Sequence, residues 1–243
     1  MTSTVNDGAT RVDEIADDVF RISTKVPPDV VPGGFTFNQY LIRDDQPLLF
    51  HTGPRRMYEA VRAGIERVLP VDRLRYVALS HFEADECGAL NRFLADAPTA
   101  EPVCSSIAAM VSVGDFADRP PRPLADQELL SLGRHTVRWI DTPHLPHGWE
   151  CGYLADTTSG TLFCGDLFTQ PGSDHAPVTE TDIIEPSEAM RGALDYFSHT
   201  RDTRALIAKL IAVRPRILAC MHGSAWRGDG AALLEALADR LDR

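Results

Sequence analysis

The chain has 243 residues, enough for one large domain or two small ones, and its 44% hydrophobic and 24% charged content is globular rather than disordered. Twenty-four Lys and Arg against 35 Asp and Glu give a formal charge of −11, with no basic block, which argues against nucleic acid or an anionic membrane as partner. No apolar run approaches the roughly 18 residues that span a bilayer, the acidic N-terminus is unlike a secretory signal, and five cysteines without a CxxC pair read as reduced thiols in a cytoplasm.

Residues 1–12 read as a flexible N-terminal tail. Alternation and turn residues then predict strands over 19–23, 38–42 and 48–51, the last ending at Thr52-Gly53. Met57, Val61 and Ile65 stand at helical spacing and predict a helix over 56–68. A strand over 74–80 leads into the sequence SHFEADE, and a second helix follows over 85–95. A short strand at 102–104 and a short helix at 106–113 come next. The Pro-rich stretch 118–123 (DRPPRP) is the best candidate for a boundary, yet it is too short for a convincing linker. Strands are predicted at 129–132, 136–140, 152–155 and 161–164, with a hairpin-like connection before the last. Helices at 186–197 and 202–213, a strand at 216–220 and a closing helix at 230–241 complete the chain. Strands thus come in two batches, each followed by helices. Two mixed sheets packed face to face with helices outside satisfy that order.

Chemistry-bearing residues gather at strand ends. In SHFEADE, the residues His81, Glu83 and Asp85 alternate, so an extended backbone points all three the same way. Asp85 and Glu86 could equally do no more than load the first turn of a helix. His144 and His147 lie in the Pro-stiffened loop of DTPHLPHGWE. Asp166 ends the strand of TLFCGD, and His222 follows the apolar strand of ACMHG. Each is ambiguous alone; a bland explanation has to cover four strand ends at once.

In that order, H-x-E-x-D, then His, Asp and His, the chain resembles the metallo-β-lactamase superfamily in its diiron branch. That branch includes the oxygen-binding diiron proteins and the β-lactamase-like domain of flavodiiron proteins. TPHLPHGWE, LFCGDLFTQ and VTETDII are similar to the shorter, oxygen-binding group, and the resemblance runs from NQYLI to MHG. It implies an α/β (α+β) fold, the four-layer αββα metallo-β-lactamase-like sandwich, as a single domain over 1–243. It also implies two metal sites. His81, Glu83 and His147 hold the first, Asp85 and His222 the second, and Asp166 bridges them. His147 is preferred over His144 because eighteen residues then separate it from Asp166, as in the family.

The hydrolytic branch reads H-x-H-x-D-H, whereas here Glu83 and Glu86 replace its second and third histidines. Three imidazoles and three carboxylates suit two iron ions, with manganese or zinc as lesser options. Flavodiiron proteins generally carry histidine where Glu86 stands. Glu86 either binds the second metal, turns away and leaves an open position, or only favours the helix N-terminus. His51 stands where much of the superfamily has aspartate, and is read as structural. Cys164, Cys220 and Cys87 lie two residues from proposed ligands but read as small hydrophobes. Trp149 reads as packing. The implied function is a non-haem diiron protein that binds or reduces O2, or a related diatomic such as NO. With no flavin domain or Gly-rich dinucleotide fingerprint in view, it would need a separate electron donor. The alternative is a hydrolase using a bridging hydroxide on an ester, lactone, thioester or phosphodiester. In the hydrolytic reading His144 or Glu86 would serve in proton transfer; otherwise the resemblance leaves His144 behind the ligands or facing the substrate. Related proteins are often homodimers; nothing in the sequence identifies an interface.

Overall fold

Three separate apolar clusters define the architecture, which a computed structural model describes for residues 10–242. The first sheet runs β1 (Thr10–Ala16), β2 (Val19–Val26), β3 (Phe35–Ile42), β4 (Leu48–Phe50), β5 (Tyr76–Ala78), β6 (Glu101–Ser105) and β7 (Arg122–Leu124) in that spatial order. Its first four strands pair antiparallel and the remaining pairs are parallel. The second sheet comprises β8 (Leu129–Ser131), β9 (Thr136–Asp141), β10 (Gly152–Asp156), β11 (Thr161–Gly165), β12 (Val178–Thr179), β13 (Ile217–Cys220) and β14 (Ala225–Arg227). Its spatial order is β12-β14-β13-β11-β10-β9-β8.

Period-2 alternation sends successive side chains to opposite faces. On β3, Tyr40 and Ile42 enter the cluster between the sheets, together with Trp139 of β9 and Phe163 of β11, whereas Leu41 enters the outer cluster. That outer cluster packs the first sheet against α1 (Tyr58–Glu66) and α3 (Leu90–Asp96). On the other side, Ile140, Leu162 and Cys220 pack against α7 (Thr203–Ile211) and α8 (Gly230–Leu241). The result is the expected αββα sandwich. Trp139 is fully buried at the centre. Trp139→Ala is expected to cost roughly 3–5 kcal/mol, read as a lowered urea midpoint.

Several boundaries differ from the sequence reading. The first helix opens with a 3-10 turn, Arg55–Met57, and ends at Glu66. The helix expected over 85–95 is two pieces, α2 (Ala84–Cys87) and α3, divided around Gly88. A Cβ on Gly88 would sit 2.3 Å from the Ala84 carbonyl oxygen. The helix at 106–113 continues to Phe116 as α4 (Ser106–Ala108), a π-type turn and α5 (Gly114–Phe116). In the sixth helix, α6 (Ile184–Leu194), the end comes earlier than expected, at Asp195 in the left-handed conformation. Strands β1, β7, β12 and β14 escaped prediction. The DRPPRP stretch feeds edge strand β7, where Pro123 is tolerated because an edge leaves amides unpaired. Residues 10–12 belong to β1 rather than to a tail; the rest of that expectation concerns residues 1–9, outside the described ones. Among the described residues, no helix is long and apolar enough to cross a membrane.

Candidate metal centre

Four loops at the ends of β5, β9, β11 and β13 meet over one rim of the sandwich. After β5 the chain bends through His81, Glu83 is extended, and Asp85 and Glu86 occupy the four-residue α2, so His81, Glu83 and Asp85 do not share the single extended run that their alternation predicts. Glu83, at the N-cap position of α2, makes no side-chain capping bond to it. Glu150 accepts from the Phe82 N–H at 3.1 Å and so ties the loop carrying His147 to the one carrying His81. Asp166 follows Gly165, whose φ of +48° favours glycine and where a Cβ would crowd Ser80 Oγ at 3.0 Å and Tyr153 at 3.1 Å. His222 precedes Gly223, which has φ +96° and would drive a Cβ into the Gln170 side chain. The Gly223 carbonyl accepts from Arg21 Nη2 at 2.7 Å and Asn38 Nδ2 at 2.9 Å, so the first sheet grips the loop that presents His222.

The structure brings six residues together in two groups joined by Asp166. His81 Nε2 stands 3.6 Å from both Glu83 Oε2 and Asp166 Oδ2, and His147 Nε2 stands 3.5 and 3.6 Å from the same two oxygens. On the other side, His222 Nε2 lies 3.3 Å from Asp166 Oδ1 and 3.5 Å from Asp85 Oδ2. Donors sharing one ion at bonds of about 2.1 Å stand roughly 3.0–3.5 Å apart. His81 Nε2, His147 Nε2, Asp166 Oδ1 and both Glu86 carboxylate oxygens are buried without a hydrogen-bond partner. Buried polar atoms are ordinarily satisfied, and imidazole with carboxylate is a donor set that iron takes. On these two counts the residues fit two cations.

The far nitrogens of the three rings are fixed. His147 Nδ1 meets the Tyr196 carbonyl at 2.9 Å and His222 Nδ1 meets the Thr36 carbonyl at 2.7 Å. Donation to those carbonyls directs each Nε2 lone pair into the centre. Phe35 stacks on the His222 ring, with centroids 4.3 Å apart. His81 Nδ1 meets Ser80 Oγ at 2.9 Å, and Ser80 Oγ meets His51 Nε2 at 3.0 Å. His51, stacked on Phe50, is therefore structural in a specific sense: it anchors Ser80, which orients His81. Burial and the nearby His81 hold its pKa down at about 3, so it stays neutral. Ser80→Ala is expected to weaken metal binding roughly 10–100-fold, measured by chelator competition, with the fold retained.

Charge in the cluster is balanced by protons when no cation is present. Burial opposes charge on every member, but Asp166 and Asp85 raise His222 to about 10. Glu86 and Glu83 raise His81, and Glu83 raises His147. The His147 and His81 contacts lower Glu83 to about 2. Burial and the facing Asp166 carboxylate push Glu86 well up.

His144 is not brought to the centre. It sits in a left-handed turn closed by its N–H to the Gly148 carbonyl, its ring is exposed, and it does not line the pocket above the site. The proton-transfer expectation for His144 is thereby corrected. Trp149 is 57% exposed rather than packed. The cysteines are buried and free, and burial raises Cys87 and Cys104 to about 12, leaving them as inert thiols. Sequence reasoning missed Thr36, Tyr196 and Glu150. The first two act through backbone carbonyls, which carry no side-chain signature. The pocket, about 220 Å³, is walled by Phe35, Thr169, Met190, Leu194 and Tyr196 above Glu83, Asp85, His147, Asp166 and His222, with no Lys or Arg among its lining.

Relatives share this fold. Rubredoxin-oxygen oxidoreductase of Megalodesulfovibrio gigas is 27% identical over 208 residues, 81% of this chain and 50% of that protein. The anaerobic nitric oxide reductase flavorubredoxin of Pectobacterium atrosepticum is 24% identical over 212 residues, 83% of this chain and 41% of the relative. The chain thus spans about half or less of these curated relatives. Among solved structures, the Flv1 flavodiiron core from Synechocystis superposes with a TM-score of 0.83 at 23% identity, covering 96% of this chain and 60% of the other. Fragment 1–254 of putative diflavin flavoprotein A 5 from Nostoc gives 0.82 at 20%, covering 96% and 95%. These structural likenesses concern the fold. The model of the ODP family beta lactamase matches residues 35–223, from β3 through the loop bearing His222, and the chain belongs to that family.

Proposed function

We propose that the protein binds or reduces O2, or a related diatomic such as NO, at a diiron centre. His81, Glu83 and His147 hold one iron, Asp85 and His222 the other, and Asp166 bridges. The observation that carries this reading is the Asp166 carboxylate, whose Oδ2 faces His81 and His147 while its Oδ1 faces His222. The relatives add weight, being by name reductases of oxygen or nitric oxide.

Bound, an iron pair supplies electrons and open coordination for a diatomic ligand. The chain's own residues do the rest. The carbonyls of Thr36 and Tyr196 hold two imidazoles in one tautomer, and Ser80 holds the third ring. Phe35, Met190, Leu194 and Tyr196 narrow the approach with largely apolar surface. A small neutral diatomic suits that approach; an anionic ester or phosphodiester would meet the carboxylates of Glu83, Asp85 and Asp166 and no Lys or Arg among the lining residues. That favours the redox reading over hydrolysis. Electrons come from a donor outside the described fold. The acidic chain with five free, buried cysteines fits a cytoplasmic setting.

The test is to load the protein with iron, reduce it anaerobically and mix it with O2 or NO while recording the visible spectrum. A new charge-transfer band within the mixing time, with no turnover of ester, lactone or phosphodiester substrates, is expected. An unchanged spectrum together with steady hydrolysis would overturn the reading.

A further inference from the structure

His51 joins the two halves of the centre without belonging to either ligand group. It follows β4 in the left-handed conformation, with φ +66°, held by its N–H to the Ala78 carbonyl at 2.8 Å and by its stack on Phe50. The residue is 1% exposed and both ring nitrogens are engaged. Nε2 accepts the Ser80 N–H at 3.2 Å, so the proton of the neutral ring sits on Nδ1. Nδ1 in turn faces Met221 Sδ at 2.9 Å, and Met221 is the residue before His222. Met221 is also 1% exposed, and its backbone is fixed on both sides: its N–H donates to the Gly165 carbonyl at 3.0 Å, and its carbonyl accepts the Asn38 N–H at 2.9 Å. Ser80 Oγ lies 3.0 Å from His51 Nε2 and 2.9 Å from His81 Nδ1. One direction of protons satisfies all these contacts. His81 Nδ1–H donates to Ser80 Oγ, Ser80 Oγ–H donates to His51 Nε2, and His51 Nδ1–H donates to Met221 Sδ. The reverse direction would put the His81 proton on Nε2, the nitrogen that faces Glu83 and Asp166. It would also set His51 Nε2–H against the Ser80 N–H.

We propose that His51 and Met221 are positioning residues for the first metal, the one held by His81, Glu83 and His147. The thioether selects the His51 tautomer, and through Ser80 that tautomer turns the His81 Nε2 lone pair towards the metal. This rests on the two-metal reading above and deepens it. Met221 adjoins His222, a ligand of the second metal, yet the relay leads away from that ligand to His81. A change beside one metal is therefore felt at the other. An unmatched buried N–H is costly, so each link holds the next in its direction. The relay ends on an uncharged acceptor. It orients His81 without adding negative charge to a cluster that already contains Glu83, Asp85, Glu86 and Asp166.

The experiment loads wild type, Met221→Leu, His51→Phe and His51→Gln with Zn(II) as a diamagnetic probe. Chelator competition reads zinc affinity, and long-range proton–nitrogen NMR reads the histidine tautomers. The ring-nitrogen shifts of His81 and His147 mark the first metal, and those of His222 mark the second. In wild type, with and without zinc, His51 is expected to carry its proton on Nδ1. Met221→Leu nearly keeps the volume and removes the acceptor. It should weaken zinc at His81 and His147 by about tenfold or more, bring in the Nε2–H form of His51, and leave zinc at His222 unchanged. His51→Phe keeps a ring on Phe50 and should have the same effect on the first metal. His51→Gln, whose amide oxygen again accepts from Ser80, should restore part of the loss. A methionine kept only to pack beside His222 would give the opposite pattern, a weakened second metal and an unmoved His51 tautomer. That pattern, unchanged zinc affinity in Met221→Leu, or a His51 proton on Nε2 in wild type would overturn the relay and leave the two-metal reading intact. Zinc that leaves the His81 shifts of wild type unmoved would overturn both.

Discussion

Asp166→Ala is expected to empty both metal positions, taking iron from two per chain to none. The reason lies in one carboxylate serving two groups. Its Oδ2 stands 3.6 Å from each of His81 and His147, and its Oδ1 stands 3.3 Å from His222. Removing any residue on one side alone, such as Glu83 or Asp85, leaves the other group its full set. Removing Asp166 takes a donor from both and leaves two neighbouring cations without the negative charge between them. The metal-free fold should survive, because Asp166 is held by its backbone: Thr169 Oγ1 and Tyr196 Oη both donate to its carbonyl oxygen. Far-ultraviolet circular dichroism checks the fold and metal analysis checks the site. Retention of two metals by the variant would contradict the bridge.

The second large effect is a steep pH dependence of metal uptake. In the metal-free protein the cluster binds protons in place of cations. The carboxylates of Asp166 and Asp85 raise His222 from 6.5 to about 10, and neighbouring carboxylates move His81 and His147 in the same direction. Each ring must lose its proton from Nε2 before it can donate there, so raising the pH strengthens binding. The expected gain is about tenfold per pH unit for each proton displaced, with one to three displaced. For His222 the gain persists as pH rises until the folded value near 10 is reached, and then stops. Stability of the metal-free fold runs the other way. A raised histidine pKa contributes stability that is fully present below 6.5 and is lost as pH rises through the folded value. Chelator competition between about pH 7 and pH 9 measures the first effect, and denaturant unfolding of the metal-free protein measures the second. Affinity that is flat across this window would contradict the proton-for-metal exchange.

Legibility in the sequence divides along physical lines. Long alternating or helical stretches such as β2, β3, α1 and α8 were readable because many residues repeat one period. The strands β12 and β14 have two and three residues and offer no period to read. Strand β7 hides behind prolines, and β1 behind an acidic edge. At the site, residues whose chemistry is unusual for a strand end stood out, and His81, Glu83, Asp85, His147, Asp166 and His222 do converge in space. The choice between His144 and His147 came from family spacing, since both are loop histidines in one short segment. What turns them apart is backbone conformation, which a single sequence does not print. Glu86 was ambiguous for the same reason: a carboxylate in the first turn of a helix looks the same whether it faces the amides or the cluster. The carbonyl partners Thr36 and Tyr196 were invisible because any residue type supplies a carbonyl.

The claim on which everything else depends is that one carboxylate joins two cations. Anomalous diffraction at the iron edge, from crystals of the iron-loaded protein, tests it directly. Two peaks per chain are expected, one beside His81, Glu83 and His147 and one beside Asp85 and His222, with the Asp166 oxygens between them. A single peak, or two peaks that do not share Asp166, would contradict it.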